Sequence, residues 1–328
     1  MENVIKTKLE ESNGSIEKKK IAFLVKEGLD SFLGEIIEGL SKEYEVRKII
    51  ATTYNHIFEG MEWADICWFE WCDELLEYGS KHPLAEEKKI ICRIHGYEVY
   101  SELIKLPQWN KVDDLILVAP HRRRLFLQNI RGIKLGGLRT HIIYCGVNSD
   151  KYPLNKKKKG YNLGYLGFIN YVKNIPLTLE IFRELHNRDE RYKLYIAGKV
   201  QDLRTFEYIK YFIKENHLQD NFVFEGWKDL EGKKDFLKRI DYMVISSIDE
   251  GLCYAAAESM CSGIKPILHN CEGLKAHYGK KYLFNTIDEA VAMIESEEYA
   301  SEEYRSYIEE NFSLDKELEE IKKIITRY

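Results

Sequence analysis

Two glutamates eight positions apart, Glu250 and Glu258, have the type and spacing in this chain that most suggest chemistry. They lie in SSIDEGLCYAAAESMCSGIKPILHN, residues 246 to 270. On one continuous helix, steps of about 100° per residue would turn the second carboxylate roughly 80° away from the first. The neighbouring residues remove that conflict. DYMVISS reads as a buried parallel strand and SIDEGLC as the loop leaving its carboxyl end. YAAAESMCS reads as a helix stopped by Gly263 and Pro266. Glu250 then belongs to the loop and Glu258 to the helix, so the two acids can reach different ends of one elongated ligand.

Ligands of open α/β sheets bind at that strand edge. Gly251 permits a tight backbone path, and the helix N-terminus offers unpaired N–H groups to an anion such as a diphosphate. Ala255, Ala256 and Ala257 keep the helix slim, so that a ligand or neighbouring backbone can come close. Spacing alone equally allows a surface-loop acid and a solvated or capping acid.

The elements that must hold these residues follow from the apolar pattern. KIAFLV, VRKIIAT, ADICWFEW, KIICRI, DLILVA and THIIYCG are strand-like runs in the first half, and FLGEIIEGLSKEY has helical spacing. YNLGYLGFI, YKLYIAG, NFVFEGW, DYMVISS and IKPILHN repeat the pattern in the second half, with IPLTLEIFRELHNR, RTFEYIKYFIKENHL and TIDEAVAMIES as helices. Continuous apolar strands alternating with helices indicate α/β domains with parallel sheets covered on both faces.

The expected division has five parts. Residues 1–18 are a disordered lead-in, 19–150 an N-terminal Rossmann-like domain and 151–161 a linker. Residues 162–305 are a C-terminal Rossmann-like domain, and 306–328 a final helix packing back on the N-terminal domain. The run PLNKKKKGYN is read as a solvated linker. Two such domains facing each other create a cleft suited to a ligand.

Glu-x7-Glu after a buried strand, followed by SMCSGIKPI, resembles the signature of retaining glycosyltransferases of family 4, which have the GT-B fold. YLGFINYVKN, YKLYIAG and NFVFEGW resemble the first three strands of that family's C-terminal domain. CRIHGYE resembles the loop carrying a histidine near the transferred sugar, and IIYCGVN the strand entering the linker. The resemblance runs from about residue 20 to residue 312.

It implies a nucleoside-diphosphate sugar held mainly by the C-terminal domain. Glu258 would accept hydrogen bonds from the ribose hydroxyls, and Glu250 would sit by the sugar ring. Lys173 would neutralise the departing diphosphate, and His95 would lie at the transferred sugar. Gly251, Leu252, Cys253, Phe168, Gly198 and Gly28 are the further donor-side positions that the resemblance marks. Two departures stand out. Phe168 occupies the place where the family often has an arginine, and Cys253 a place where it commonly has glycine.

No Asp-x-Asp triplet occurs, which suits a mechanism without a metal or other cofactor. The expected partners are a nucleotide sugar and a glycan, lipid-linked or small-molecule acceptor. The rival readings are a sugar-nucleotide epimerase on the same fold, and a sugar-nucleotide-binding module or inactive partner within a glycan-assembly complex.

Composition narrows the rest. The 328 residues favour two domains, and 45% hydrophobic with 31% charged residues describes an ordinary globular protein. A net charge of −5 argues against nucleic acid as a partner. The seven cysteines form no Cys-x-x-Cys pair and are expected as reduced thiols in a cytoplasmic protein without a structural zinc. The three arginines of PHRRRLFL are read as a solvated helix start. The alternative for them is a docking patch for a phosphate-bearing acceptor, with peripheral membrane contact. The aromatic cluster EWADICWFEWC is read as packing in the core and on the domain face.

Overall fold

The computed structural model describes residues 18–328, so the expected lead-in lies almost wholly outside the described residues. The chain forms two six-stranded sheets in which every strand pair is parallel.

The first sheet contains β1 (Lys20–Val25), β2 (Glu45–Ile50), β3 (Ile66–Glu70), β4 (Lys89–Ile94), β5 (Asp114–Leu117) and β6 (Arg139–Ile142), in the order β2-β1-β3-β4-β5-β6. Its connecting helices are α1 (Leu33–Ser41), α2 (Tyr54–Trp63), α3 (Glu74–Lys81) and α4 (Pro120–Asn129). The second sheet contains β7 (Asn162–Leu166), β8 (Lys193–Ala197), β9 (Phe222–Gly226), β10 (Tyr242–Ile245), β11 (Lys265–His269) and β12 (Leu283–Phe284), in the order β12-β11-β10-β7-β8-β9. Around it run α5 (Ile175–Arg188), α6 (Leu203–Glu215), α7 (Leu230–Arg239), α8 (Tyr254–Cys261), α9 (Glu272–His277) and α10 (Ile287–Glu295). The chain closes with α11 (Ser301–Asn311) and α12 (Leu314–Ile325).

The central strands are buried along their whole apolar stretch, Ile21 to Val25 in β1 and Tyr242 to Ile245 in β10. That is what a parallel sheet covered on both faces requires. The run THIIYCG yields only a four-residue strand, because the chain leaves the sheet after Ile142 to cross toward the second half. There Val147 N–H donates to the Phe312 carbonyl at 2.8 Å, and Leu314 N–H donates to the Val147 carbonyl at 3.2 Å. The outgoing and returning segments cross so closely that a Cβ on Gly146 would lie 2.6 Å from Leu314 Cα. β12 has no counterpart among the runs read from sequence, since two residues carry no period.

The two last helices part company. α11 packs Tyr304, Ile308 and Phe312 in one core with Ala256, Ala257, Met260 and Cys261 of α8. The small residues of α8 thus admit a neighbouring helix. α12 lays Leu318, Ile321, Ile324 and Ile325 in the core formed by Ile21, Phe23, Trp68 and Ile91 of the first sheet.

The lysine run is solvated only in part, at Lys156 and Lys158. Lys157 Nζ donates to the carbonyls of Lys238 (3.0 Å) and Ile240, at the carboxyl end of α7, where the helix dipole favours a cation. Lys159 donates to the Glu295 carbonyl at 2.6 Å, and Lys156 pairs with Glu302 at 2.5 Å. The run is pinned along the base of the second half by these contacts.

Candidate active site where the two sheets meet

The loop between β10 and α8 carries Glu250, and a second loop, between β7 and α5, carries Lys173. Asn170 begins a short turn by accepting from Lys173 N–H at 3.2 Å, and Asn174, at φ +47°, leads into α5. The two loops are stitched by Ile248 N–H to the Val172 carbonyl (2.9 Å) and by Ser246 Oγ to the Lys173 carbonyl (2.9 Å). Their side chains then meet. Lys173 Nζ lies 2.6 Å from Glu250 Oε1, and Ser247 Oγ donates to the same oxygen at 2.7 Å. Burial alone would lower the Lys173 pKa, but the Glu250 carboxylate outweighs it and the ammonium is held above its ordinary value.

Glu258 stands apart, on α8. Its Oε1 accepts from Tyr152 Oη at 2.6 Å and pairs with Lys233 of α7, and among the described residues no hydrogen bond falls on its other oxygen. Tyr152 is driven upward by burial and by the Glu258 charge, so it stays a phenol and donates. Among the described residues, no side chain is hydrogen-bonded to both glutamates. The two acids are buried at 8% and 7% exposure, which does not suit surface acids.

His95 is tied to the first half by one ring nitrogen. Its Nε2 lies 2.5 Å from Glu70 Oε1, on the buried side, and its ring packs against both Trp71 (4.3 Å between centroids) and Phe32 (5.0 Å), which also touch each other. Phe32 in turn stacks on Tyr254 of α8 at 5.8 Å, so the aromatic column crosses from one half to the other. Burial alone would lower the His95 pKa, but the adjacent carboxylate raises it to about 9, so the ring is a cation at neutral pH. Glu70 is held down at about 2 against its own burial, by Arg93 first and then by His95.

Glu70 also accepts from Trp68 Nε1 (2.7 Å) and Arg93 Nε (2.8 Å). Arg93 reaches on to Glu317 of α12 at 2.7 Å, and Glu317 Oε2 accepts from Gly146 N–H at 2.8 Å. A buried chain of charges therefore joins the last helix to His95. The aromatic cluster itself is divided, with Trp68 in the core and Trp71 beneath the domain face, its indole N–H donating to the Leu29 carbonyl at 3.0 Å.

The remaining marked positions serve different ends. Gly198 sits at the carboxyl edge of β8, where a Cβ would lie 1.7 Å from the Gly167 carbonyl oxygen, so only glycine fits. Phe168, next to Gly167, is 45% exposed at the same edge and supplies no cation. Arg204, a basic residue that could stand in for the missing arginine, is exposed at the start of α6, where its backbone N–H donates to Asp202 at 3.0 Å. Leu252 buries its side chain in the core and its carbonyl accepts from Tyr278 Oη at 2.8 Å, so any donor contact there falls to its backbone. Cys253 starts α8 with a left-handed backbone at φ +61°, the conformation that glycine would take without strain. Gly28 forms an exposed turn after β1 at φ +77°, remote in contacts from the Glu250 cluster.

The reading of the arginine run as a solvated helix start holds for the exposed Arg123 and Arg124 and fails for Arg122. Arg122 is buried and pairs with Asp249 at 2.8 Å, Arg124 pairs with Glu272 at 2.7 Å, and Arg123 donates to Thr140 Oγ1 at 2.9 Å. Two of the three arginines therefore bind the other half of the chain and form no free basic patch.

Some residues of the site had little sequence signal. Lys233 and Tyr152 look like ordinary helix and linker residues until the fold brings them to Glu258. Glu70 and Arg93 did carry a signal, each being a charge at the end of an otherwise apolar strand run. All seven cysteines are unpaired thiols, and no group of three or more His, Cys, Asp or Glu side chains among the described residues is arranged to hold a metal ion.

Comparison with known proteins decides the family. The profile of the family described as "Glycosyl transferases group 1" matches residues 147–314, half of the chain. The chain belongs to the group 1 glycosyl transferases. Within this group 1 glycosyl transferase, 131 residues are 29% identical to the GDP-mannose:cellobiosyl-diphosphopolyprenol alpha-mannosyltransferase of Xanthomonas campestris. That stretch is 40% of this chain and 34% of the relative, so the chain matches about a third of the curated relative's length.

Solved structures share the fold. The Anabaena protein HepE, crystallised with UDP and glucose, superposes with a TM-score of 0.77 at 11% identity, over 94% of this chain and 100% of that one. Sucrose-phosphate synthase from Thermosynechococcus elongatus gives 0.73 at 13% identity, over 94% and 99%. The lipopolysaccharide outer core galactosyltransferase WaaB gives 0.69 at 15% identity, over 94% and 100%. The group 1 glycosyl transferase described here therefore has the GT-B fold.

Proposed function

We propose that this chain transfers a sugar from a nucleoside-diphosphate sugar to an acceptor hydroxyl with retention of configuration, in the manner of glycosyltransferase family 4. The observation that carries the reading is the contact of Lys173 with Glu250 at 2.6 Å, at the carboxyl edge of the second sheet. A cation and an acid so placed can share the work at one bond. Lys173 stabilises the negative charge that grows on the departing diphosphate, and Glu250 accepts from the sugar hydroxyls beside the anomeric carbon. Glu258 binds the ribose, with Tyr152 and Lys233 fixing its orientation. Gly198 keeps the edge flat for the phosphates, and the backbone N–H groups at the start of α8 add to their binding. His95 presents positive charge at the edge of the first sheet.

The name of the Xanthomonas relative, a transferase acting on a sugar-bearing diphosphopolyprenol, supports a lipid-linked saccharide as the acceptor class. No helix among the described residues is long and apolar enough to cross a membrane. Such an acceptor would be met at the bilayer surface, in glycan biosynthesis.

A thermal-shift panel of UDP-, GDP- and ADP-sugars, followed by transfer assays in excess chelator, tests this reading. A melting-temperature rise with one nucleotide class is expected, because a ligand that binds only the folded state stabilises it. Transfer that persists in chelator is expected as well. A strict requirement for added Mg²⁺ or Mn²⁺ would overturn the metal-free step, and donor binding without any turnover would favour a binding module.

A further inference from the structure

Adjacent residues Asp249 and Glu250 point to opposite halves of the molecule. Glu250 turns to Lys173 and Ser247 in its own half, whereas Asp249 reaches across to α4 of the other half. Asp249 Oδ2 lies 2.8 Å from Arg122 Nη2, and Asp249 Oδ1 lies 3.6 Å from His121 Nε2. Arg122 is held in turn by Tyr100, whose hydroxyl accepts from Nη1 at 3.3 Å and whose ring lies 5.6 Å from the guanidinium carbon. These side chains gather at the first turn of α4, where the helix dipole favours an anion and where no N-cap side chain supplies one. Asp249 is the acid that meets the His121 and Arg122 side chains there.

The backbone around the pair is just as tightly set. A Cβ on Gly251 would lie 3.3 Å from Val118 Cγ2 of the first half, and a Cβ on Gly273 would lie 1.8 Å from the Glu250 carbonyl oxygen. The loop is thus closed in by α9 on one side and by the first half on the other. Separating the halves would remove one of those walls and the counter-charge of Asp249 together.

We propose that Arg122 is a positioning residue for Glu250. Through Asp249 it ties the β10–α8 loop to the first half, so that Glu250 takes its place at the donor only when the two halves are closed on each other. Sugar transfer would then be coupled to docking of the half that meets the acceptor, and loss of donor to water would be limited while the halves are apart. The proposal rests on the donor site proposed above, but its first measurement does not.

The test compares Arg122→Gln, Asp249→Asn and the double variant with wild type. Hydrogen exchange of the segment 246–253 is read first, without substrate. Faster exchange there in each single variant, with strands β1 and β10 protected as in wild type, is the expected result. Unchanged exchange in that segment would overturn the proposal whether or not the protein transfers sugar. Should Arg122→Gln unfold, visible as exchange throughout β1 and β10, Asp249→Asn is read in its place, because that carboxylate is already 26% exposed.

The second measurement is steady-state transfer, once a donor is known. Each single variant is expected to lose kcat about tenfold while the donor KM stays within about twofold, with the double variant no worse than either single one. Additive losses, or a change in KM alone, would contradict the coupling. A wild-type protein that transfers nothing would sink the transferase reading, and the exchange result would still decide the tie.

Discussion

Glu317, on the last helix, places a carboxylate oxygen 2.7 Å from the Arg93 guanidinium, although 224 positions separate them. Arg93 stands on β4 and passes the contact to Glu70 and so to His95. The end of the chain thus fixes a group at the edge of the first sheet. Glu317 itself is pushed upward by burial, which Arg93 opposes, as expected for a carboxylate shut inside a protein.

Removing that carboxylate should be costly. Glu317→Ala leaves part of the Arg93 charge buried without its partner and is expected to lower stability by about 3 kcal/mol. The exposed Glu319→Ala on the same helix is the control and should change little. Thermal denaturation of the two variants checks the difference, and equal melting temperatures would contradict the buried network.

The His95–Glu70 pair predicts a pH dependence with a definite sign. A histidine raised to about 9 contributes stability that is fully present below its unfolded value near 6.5 and is lost as pH climbs through 9. Glu70, held at about 2, contributes stability present above its ordinary 4.5 and lost as pH falls toward 2. The Glu70 shift is owed to Arg93 before His95, so the His95 shift sets the sign for a His95 variant. The gap in melting temperature between wild type and His95→Gln should therefore narrow from pH 6 to pH 10, and a gap that widens would sink this account.

Two glycines should respond differently to a methyl group. In Gly198→Ala the new Cβ meets the Gly167 carbonyl oxygen at 1.7 Å, and backbone must move at a cost of about 2 kcal/mol or more. In Gly251→Ala it meets the Val118 side chain at 3.3 Å, which can give way. Denaturant unfolding should rank Gly198→Ala well below Gly251→Ala in stability.

Cys253 should be quiet chemically and strained structurally. Burial first, and then the Glu250 charge, hold its thiol above the ordinary range, so the native protein at pH 8 should resist iodoacetamide at this position. Rapid labelling of Cys253 would contradict that. Its left-handed backbone should make Cys253→Gly melt clearly higher than Cys253→Val, because a β-branched side chain is worst there.

Sequence pattern carried the two-sheet plan because long apolar strands are legible one at a time. KIAFLV gave β1 without a residue's error, while β12, two residues long, had no period to show. At the site, Glu250 was legible from its place after a strand and Lys173 from the resemblance carried by YLGFINYVKN, and the fold brings the two into contact. The pairing of His95 with Glu70 was not legible, since a histidine beside a strand does not show which carboxylate it will meet. Arg122 was misread because its partner, Asp249, lies more than a hundred residues away. Lys233 and Tyr152 share that difficulty, since tertiary pairing leaves no local trace.

The central claim is that Glu250 and Glu258 serve different parts of one donor, and the two can be separated by measuring donor affinity and turnover on the same variants. Glu258→Gln is expected to weaken donor binding about tenfold with kcat little changed, since an interaction made equally before and during the reaction affects binding alone. Glu250→Gln is expected to leave donor Kd within about twofold and to lower kcat by about a hundredfold, the loss of an interaction made in the transition state. If the two variants instead show the same pattern, the division of roles between the loop and the helix is wrong.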